Sequence, residues 1–299
     1  MKIENELPEI KKNVLLKNYT TFKIGGLSQY FFVAKTKEDL IKAIKVAKKL
    51  KLPFFILGEG SNILISDKKF KGLVIKIQNS KFKIQNYNSK FKIIYAEAGV
   101  PLALIISEAA KNNLTGLEWA VGIPGTVGGA IWGNAGAFNK SMADIVKKVE
   151  VLEVKNEKCK VKNFKNKDCK FDYRESVFKR NPNLLILSAI LKLKKEQKNK
   201  IKEKMGKFLN YRKKTQPLNF PSAGSVFKNP AGFSAGELIQ KCELKGKRVG
   251  NVKISELHAN FIVNLGGGKA KDVKKLIKII KNKIKNKFGI ALEEEIRIF

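Results

Sequence analysis

Gly122-Ile-Pro-Gly-Thr-Val-Gly-Gly-Ala-Ile-Trp-Gly-Asn-Ala-Gly136 places six glycines in fifteen residues. Such a run bares peptide groups that a pyrophosphate or a ring system can approach closely. A second cluster, Gly58-Glu-Gly-Ser-Asn-Ile-Leu-Ile-Ser-Asp67, starts where the apolar run Phe54–Leu57 ends, and Ser61 and Asn62 can add side-chain hydrogen bonds. Neither cluster contains GxGxxG or a Walker loop, so neither dinucleotide fingerprint applies. Alone, each is as well read as an ordinary tight turn. Two of them with sequence this particular are hard to assign to turns.

Around these clusters the chain alternates strand-like and helix-like segments. Gln29–Ala34 is β-rich, and Thr36-Lys-Glu-Asp39 opens a helix with Leu40, Ile44 and Ala47 on one face, ended by Pro53. Phe54–Leu57 and Ile63–Ile65 read as short buried strands. Asn79-Ser-Lys-Phe-Lys-Ile84 recurs as Asn88-Ser-Lys-Phe-Lys-Ile93, a local duplication that predicts a hairpin and no solenoid. Pro101 opens a helix through Ala110, Val149–Val154 alternates, and Leu184–Leu193 is strongly β-like. The polar segment Lys194–Lys204 is the candidate domain boundary. Beyond it come a helix with a capping box, Ser234-Ala-Gly-Glu237, and a longer one with Val273, Leu276, Ile277, Ile280, Ile284 and Phe288 on one face, stopped by Gly289. A last strand is predicted over Ala291–Phe299. This order predicts an α+β protein.

At about 150 residues per domain, 299 residues predict two domains or three. With 43% apolar residues the chain can build sizeable cores. Three cysteines, Cys159, Cys169 and Cys242, lack CxxC spacing, and a single histidine, His258, leaves too few ligands for a His/Cys zinc site, so no metal is expected. The N-terminal residues lack the apolar stretch of a signal peptide, and no run reaches the roughly 18–20 apolar residues of a membrane helix. A soluble cytoplasmic protein is expected. The net charge of +35 invites a nucleic-acid reading, yet only five of the 61 basic residues are arginines. The lysines are dispersed instead of gathered in a stripe, which predicts solvated faces and no specific nucleic-acid partner.

Taken together, Leu57-Gly-Glu-Gly-Ser-Asn62 with Asp67, Gly122-Ile-Pro-Gly-Thr-Val-Gly-Gly129 and Asn134-Ala-Gly-Ala137 resemble the flavin-binding half of UDP-N-acetylenolpyruvoylglucosamine reductases. Asn18-Tyr-Thr-Thr-Phe-Lys-Ile-Gly-Gly26 is similar to that family's N-terminal segment. Tyr173-Arg-Glu-Ser-Val-Phe-Lys179, Ser222-Ala-Gly-Ser-Val-Phe-Lys-Asn-Pro230 and Leu292-Glu-Glu-Glu-Ile-Arg297 are similar to its three catalytic segments. The resemblance covers nearly the whole chain. It implies a p-cresol-methylhydroxylase-type FAD-binding fold of two subdomains followed by an α+β substrate-binding domain. The expected division is an N-terminal segment 1–24, an FAD-binding domain 25–195 and a substrate domain 196–299. It further implies non-covalent FAD, NADPH as co-substrate, and reduction of the enolpyruvyl ether of UDP-N-acetylglucosamine to the lactyl ether in peptidoglycan synthesis. A monomer is expected.

The resemblance carries roles over residue by residue. Arg174 faces the substrate carboxylate, Ser225 donates the proton to C2, and Glu295 is the catalytic carboxylate, although Glu294 stands where the family usually has proline. Gly58, Glu59, Gly60, Ser61 and Asn62, with Gly122, Ile123, Pro124, Gly125, Thr126, Gly128, Gly129, Asn134 and Gly136, are the implied cofactor contacts. Tyr173, Lys213, Asn229 and Asn260 are the implied substrate contacts, and Tyr211, Arg212 and Lys214 stand beside Lys213 as candidates for the diphosphate. The 51 residues from Arg174 to Ser225 leave little room for the tyrosine-bearing insert of the longer class, so the shorter class is expected. His258 reads as structural, and Cys159 and Cys169 as bystanders. Apart from the resemblance, Arg174 could be a surface ion pair, Ser225 a turn hydroxyl and Glu295 one of three acidic strand residues. Two other functions stay open: a flavin oxidase of the same fold on another substrate, and a basic protein binding nucleic acid or an anionic surface.

Overall fold

Thr36 caps the first long helix, Lys37–Lys49, in both directions: its Oγ1 accepts the Asp39 N–H at 3.0 Å and Asp39 Oδ2 accepts the Thr36 N–H at 3.0 Å. The computed structural model describes residues 3–155 and 158–299. Met1 and Lys2 of the predicted N-terminal segment, and residues 156–157 of the predicted FAD-binding domain, lie outside them. Leu40, Ile44 and Ala47, the predicted inner face of the helix, are fully buried together with Ala43. The chain then turns through Pro53 into the strand Phe54–Leu57, which lies parallel to residues 73–76 of the strand Phe70–Ile77.

The chain packs as two units, each drawn from separate parts of the sequence. The first holds the N-terminal residues through Lys11, with Tyr30–Gly58 and Gly72–Asn210. Its largest sheet is antiparallel and runs in the order Lys158–Lys165, Val146–Lys155, Leu184–Lys195, Phe91–Glu97, Phe82–Asn86. The two copies of the duplicated hexapeptide supply the hairpin strands Phe82–Asn86 and Phe91–Glu97, with Ile84 opposite Ile94. Leu184–Lys195 is central because it is apolar for most of its length, and it pairs with Val146–Lys155 on one side and Phe91–Glu97 on the other. Helix Leu102–Lys111 closes the core with Leu102, Ile105, Ile106 and Ala109.

The second unit holds Lys12–Gln29, Glu59–Lys71 and Tyr211–Phe299. Its antiparallel sheet runs Ser222–Ser225, Phe261–Asn264, Val252–Ile254, Arg248–Val249. Helix Ala270–Phe288 covers a core built from its predicted apolar face, with Val273, Leu276, Ile280 and Ile284 fully buried, and ends at Gly289 with φ 71°. Ser234 caps Ala235–Lys241 by accepting the Glu237 N–H. The sequence predicts breaks at 24/25 and 195/196; by compactness, the segments 12–29 and 59–71 fold with the C-terminal part, and the last break falls at Asn210/Tyr211 inside helix Lys198–Thr215.

One predicted element comes apart. Ala291–Phe299 is not a continuous strand, because it changes partner along its length. Glu294 bridges Phe227, whereas Arg297–Ile298 pairs in parallel with Ile63–Leu64. Two short ladders replace the long one, and Glu295 lies between them. Among the described residues, no helix is long and apolar enough to cross a membrane.

Candidate active site

In the first unit the glycine-rich segment wraps a short helix, Val127–Trp132. Thr126 caps it, its Oγ1 accepting the Gly129 N–H at 3.2 Å. The segment is held by the loop that follows Phe91–Glu97: the Val127 N–H donates to Val100 O and the Gly128 N–H to Ala98 O, each at 2.9 Å. That approach requires a glycine, since a Cβ on residue 128 would stand 2.7 Å from the Ala98 Cβ. The same holds at Gly58, the end of strand Phe54–Leu57, where a Cβ would stand 2.9 Å from Thr126 Oγ1. The two glycine clusters therefore meet at Gly58 and Thr126. Lys76 Nζ donates to Gly58 O at 2.6 Å and holds the strand end in place. Gly122, Pro124 and Gly129 are exposed, Ile123 and Gly125 half-buried. The open face is bare backbone over a packed floor, the surface a flat ring and a pyrophosphate need, so these residues fit a flavin dinucleotide.

The far end of the segment runs into the predicted arginine. Asn134 is buried, donating from Nδ2 to Asp172 O at 2.8 Å and accepting the Ala143 N–H on Oδ1 at 3.0 Å. Asp172 and Glu175 exchange backbone bonds of 3.1 Å, so Tyr173 and Arg174 form the tip of a two-residue turn. Arg174 has φ 56°, the left-handed region that normally favours glycine or asparagine. Holding a bulky side chain there costs about 1–3 kcal/mol, and such strain gathers at functional sites. Ser176 ends the turn and caps helix Val177–Arg180, while its hydroxyl donates to Trp132 O at 2.6 Å. Tyr173 is exposed. Gly136, the last glycine, packs against the Lys140 backbone.

The second unit brings Asn62, Ser225 and Glu295 into one cluster. Ser225 ends strand Ser222–Ser225 opposite Phe261. Immediately after it, Val226 O accepts the Glu295 N–H at 2.8 Å, and the Lys228 N–H donates to Glu293 O at 2.9 Å. On the other side Asn62 Nδ2 donates to Glu295 O at 3.3 Å, and Asn62 O accepts the Arg297 N–H at 3.0 Å. Each acid beside Glu295 has a lysine: Lys228 Nζ lies 2.6 Å from Glu293, and Lys281 Nζ lies 3.0 Å from Glu294. Where the family usually has proline, Glu294 is thus tied to the long C-terminal helix. Asn260 is buried and grips Phe227 at both ends, accepting its N–H at 3.0 Å and donating to its carbonyl at 2.8 Å. Asn229 Oδ1 accepts the Ala235 N–H at 3.0 Å. Glu59, Gly60 and Ser61 precede Asn62, and Gly60 O accepts the Thr21 N–H at 3.1 Å. Lys213 is exposed and Arg212 buried at the end of helix Lys198–Thr215.

Residues 216–299 match the family model described as UDP-N-acetylenolpyruvoylglucosamine reductase, C-terminal domain, and residues 28–160 match an FAD binding domain. A UDP-N-acetylenolpyruvoylglucosamine reductase of Caldanaerobacter subterraneus is 42% identical over 96% of this chain and 92% of its own. One of Clostridium novyi is 37% identical over 97% and 92%. The chain belongs to the UDP-N-acetylenolpyruvoylglucosamine reductase family. The crystal structure of the Thermus caldophilus reductase superposes with a TM-score of 0.81 at 36% identity, covering 97% of this chain and 99% of that one. The p-cresol-methylhydroxylase-type FAD-binding fold and the α+β C-terminal domain expected from the motifs are therefore this chain's own. It is a flavoenzyme of the oxidoreductase class.

Within the reductase motifs the sequence singles out Arg174, Ser225 and Glu295 but not the lysines around them. Lys179 Nζ donates to Arg174 O at 2.9 Å and to Glu175 Oε1 at 2.8 Å. Both Lys179 and Lys228 stand in the quoted motifs. In a chain with 61 basic residues a lysine carries no signal by itself; only burial separates these two from the solvated majority. His258 is half-buried against Phe261, its Nδ1 accepting the Asn260 N–H at 3.3 Å, and burial pushes its imidazole below 6.5. Cys169 is buried, and burial with the nearby Asp168 pushes its thiol up to about 12.

Proposed function

We propose that the chain performs its family's reaction, reduction of the enolpyruvyl ether of UDP-N-acetylglucosamine to UDP-N-acetylmuramate, with Arg174, Ser225 and Glu295 as its catalytic residues. FAD, when bound, supplies the hydride, taken from NADPH and delivered to C3 of the enolpyruvyl group. The protein's residues manage the charge and the proton. As C3 becomes a methyl group, negative charge develops at C2 and spreads into the carboxylate. The Arg174 guanidinium binds that carboxylate with two parallel hydrogen bonds that tighten as the charge grows. The Ser225 hydroxyl then protonates C2. Glu295 assists the enol-like intermediate.

The observation that carries the reading is the backbone pairing of Glu295 with Val226, which sets the predicted acid beside the predicted proton donor. The FAD-binding domain is assigned to 25–195 and the substrate domain to 196–299. Tyr173, Lys213 and Asn229 are offered as substrate contacts. For Asn260, the two bonds to Phe227 favour holding the Ser225 segment over touching substrate. The enzyme acts in the cytoplasm as a monomer.

Ser225→Ala tests the proton donor. The variant should bind FAD and be bleached by NADPH at the parent rate. Reoxidation by the UDP-enolpyruvyl sugar should slow by about 10²–10⁴-fold, the usual loss with a general acid. Equal slowing of both half-reactions would make Ser225 a structural hydroxyl, and no slowing in either would remove it from the mechanism.

A further inference from the structure

Lys179 lies on the short helix Val177–Arg180, five residues after Arg174. Its ammonium donates to Arg174 O at 2.9 Å and Glu175 Oε1 at 2.8 Å, and stands 5.6 Å from the centre of the Trp132 ring. Lys179 and Glu175 are an i,i+4 pair, ordinarily a solvated decoration worth little. Here the side chains are only 19% and 23% exposed, and the ammonium also reaches a backbone carbonyl and an aromatic face. That carbonyl belongs to the residue at φ 56°. In the left-handed conformation the peptide after Arg174 is turned over, and a charge-assisted bond to its oxygen opposes its return to the ordinary orientation.

The other partner matters as much. Trp132 belongs to the glycine-rich segment, and that segment is fastened to the turn twice more, by Ser176 Oγ to Trp132 O at 2.6 Å and by Asn134 Nδ2 to Asp172 O at 2.8 Å. The turn is thus referenced to the flavin cradle and not to a free surface loop. We propose that Lys179 is a positioning residue: it locks the strained Arg174 backbone onto Trp132, so that the guanidinium starts from a fixed point relative to the cofactor. This rests on the reading of Arg174 as the carboxylate anchor.

A double-mutant cycle of Arg174→Lys and Lys179→Met tests it, with flavin content, the NADPH half-reaction and the sugar half-reaction measured for each protein. Lys179→Met alone should keep its flavin and its bleaching by NADPH. The UDP-enolpyruvyl sugar concentration for half-maximal reoxidation should rise about tenfold, the scale of one lost hydrogen bond to a charged group. Lys179→Arg should recover most of that loss. The double variant should be no slower than Arg174→Lys, because Lys179 acts only through Arg174. Costs that multiply, or flavin loss in both Lys179 variants, would overturn the proposal and make Lys179 a structural ion pair. If Lys179→Met does not fold, Lys179→Arg takes its place in the cycle, with a smaller loss and the same non-additivity expected. Parent-like turnover in Arg174→Lys would instead sink the role of Arg174 itself.

Discussion

At Arg174 the backbone adopts a conformation that glycine would take without strain, and an arginine stands there. The site therefore sets stability against function. Arg174→Gly should relieve about 1 kcal/mol or more of strain and melt no lower than the parent, while its turnover collapses. A calorimetric scan beside a turnover assay checks both halves. Arg174→Lys keeps the charge and loses the planar fork, so turnover should fall sharply at normal flavin content. A second residue-scale expectation comes from His258. Burial holds its folded pKa below the ordinary 6.5, so the unfolded chain binds the proton more readily. Stability from this group is full above 6.5 and is lost as pH falls from there through the lower folded pKa. Denaturant unfolding at pH 7.5 and 5.5 should show a smaller loss for His258→Gln than for the parent; equal losses would place the pH response elsewhere. At this scale the motifs single out one arginine, one serine and one glutamate, each at a defined place in an ordered segment. What stays hidden is the conformation that makes one of them unusual. Nothing in Asp172-Tyr-Arg-Glu175 announces a left-handed arginine, which follows from the backbone bonds of 172 with 175 and from a lysine five residues away.

Elements are where the glycine clusters and the C-terminal segment behave differently. Glycine is readable because its reason is local: a Cβ at 128 would strike Ala98, and one at 58 would strike Thr126. Helices are readable for a similar reason, since the apolar face of Ala270–Phe288 and the cap at Thr36 are written within one segment. The final strand is not, because pairing depends on what lies opposite. Ala291–Phe299 has strand-like alternation, yet Phe227 and Ile63 sit along different parts of it and the ladder breaks. The break is useful, since it leaves Glu295 bonded to Val226 on one side and to the Asn62 side chain on the other. Asn260 holds this junction through Phe227. Asn260→Ala leaves a buried N–H and a buried C=O without their partner and should cost about 1–3 kcal/mol in denaturant unfolding. It should also slow sugar reduction more than flavin bleaching by NADPH. A change below about 0.5 kcal/mol would mean that water or a neighbour replaces the amide at no cost.

Over the whole molecule the charge of +35 calls for a reading that fits a flavoenzyme. On helix Ala270–Phe288 the lysines at 271, 274, 275, 278 and 285 are exposed opposite the buried Val273, Leu276 and Ile284, so they coat a solvated face. FAD, NADPH and the UDP-sugar are all anions, and a diffuse positive field speeds their encounter without specificity. The ratio kcat/KM should therefore fall as salt rises, while kcat changes little. Binding to DNA should be weak, indifferent to sequence and steeply lost with salt; a salt-resistant preference for one sequence would contradict the dispersed-charge reading. The central claim concerns electrons, and the flavin reports them directly. In an anaerobic stopped-flow cell the yellow protein should lose its visible absorbance with NADPH and regain it when the UDP-enolpyruvyl sugar is added, one equivalent of sugar per flavin. A protein that stays colourless with added FAD, or one that is bleached but regains its colour only when oxygen is admitted, would contradict the assignment as an enolpyruvyl-sugar reductase.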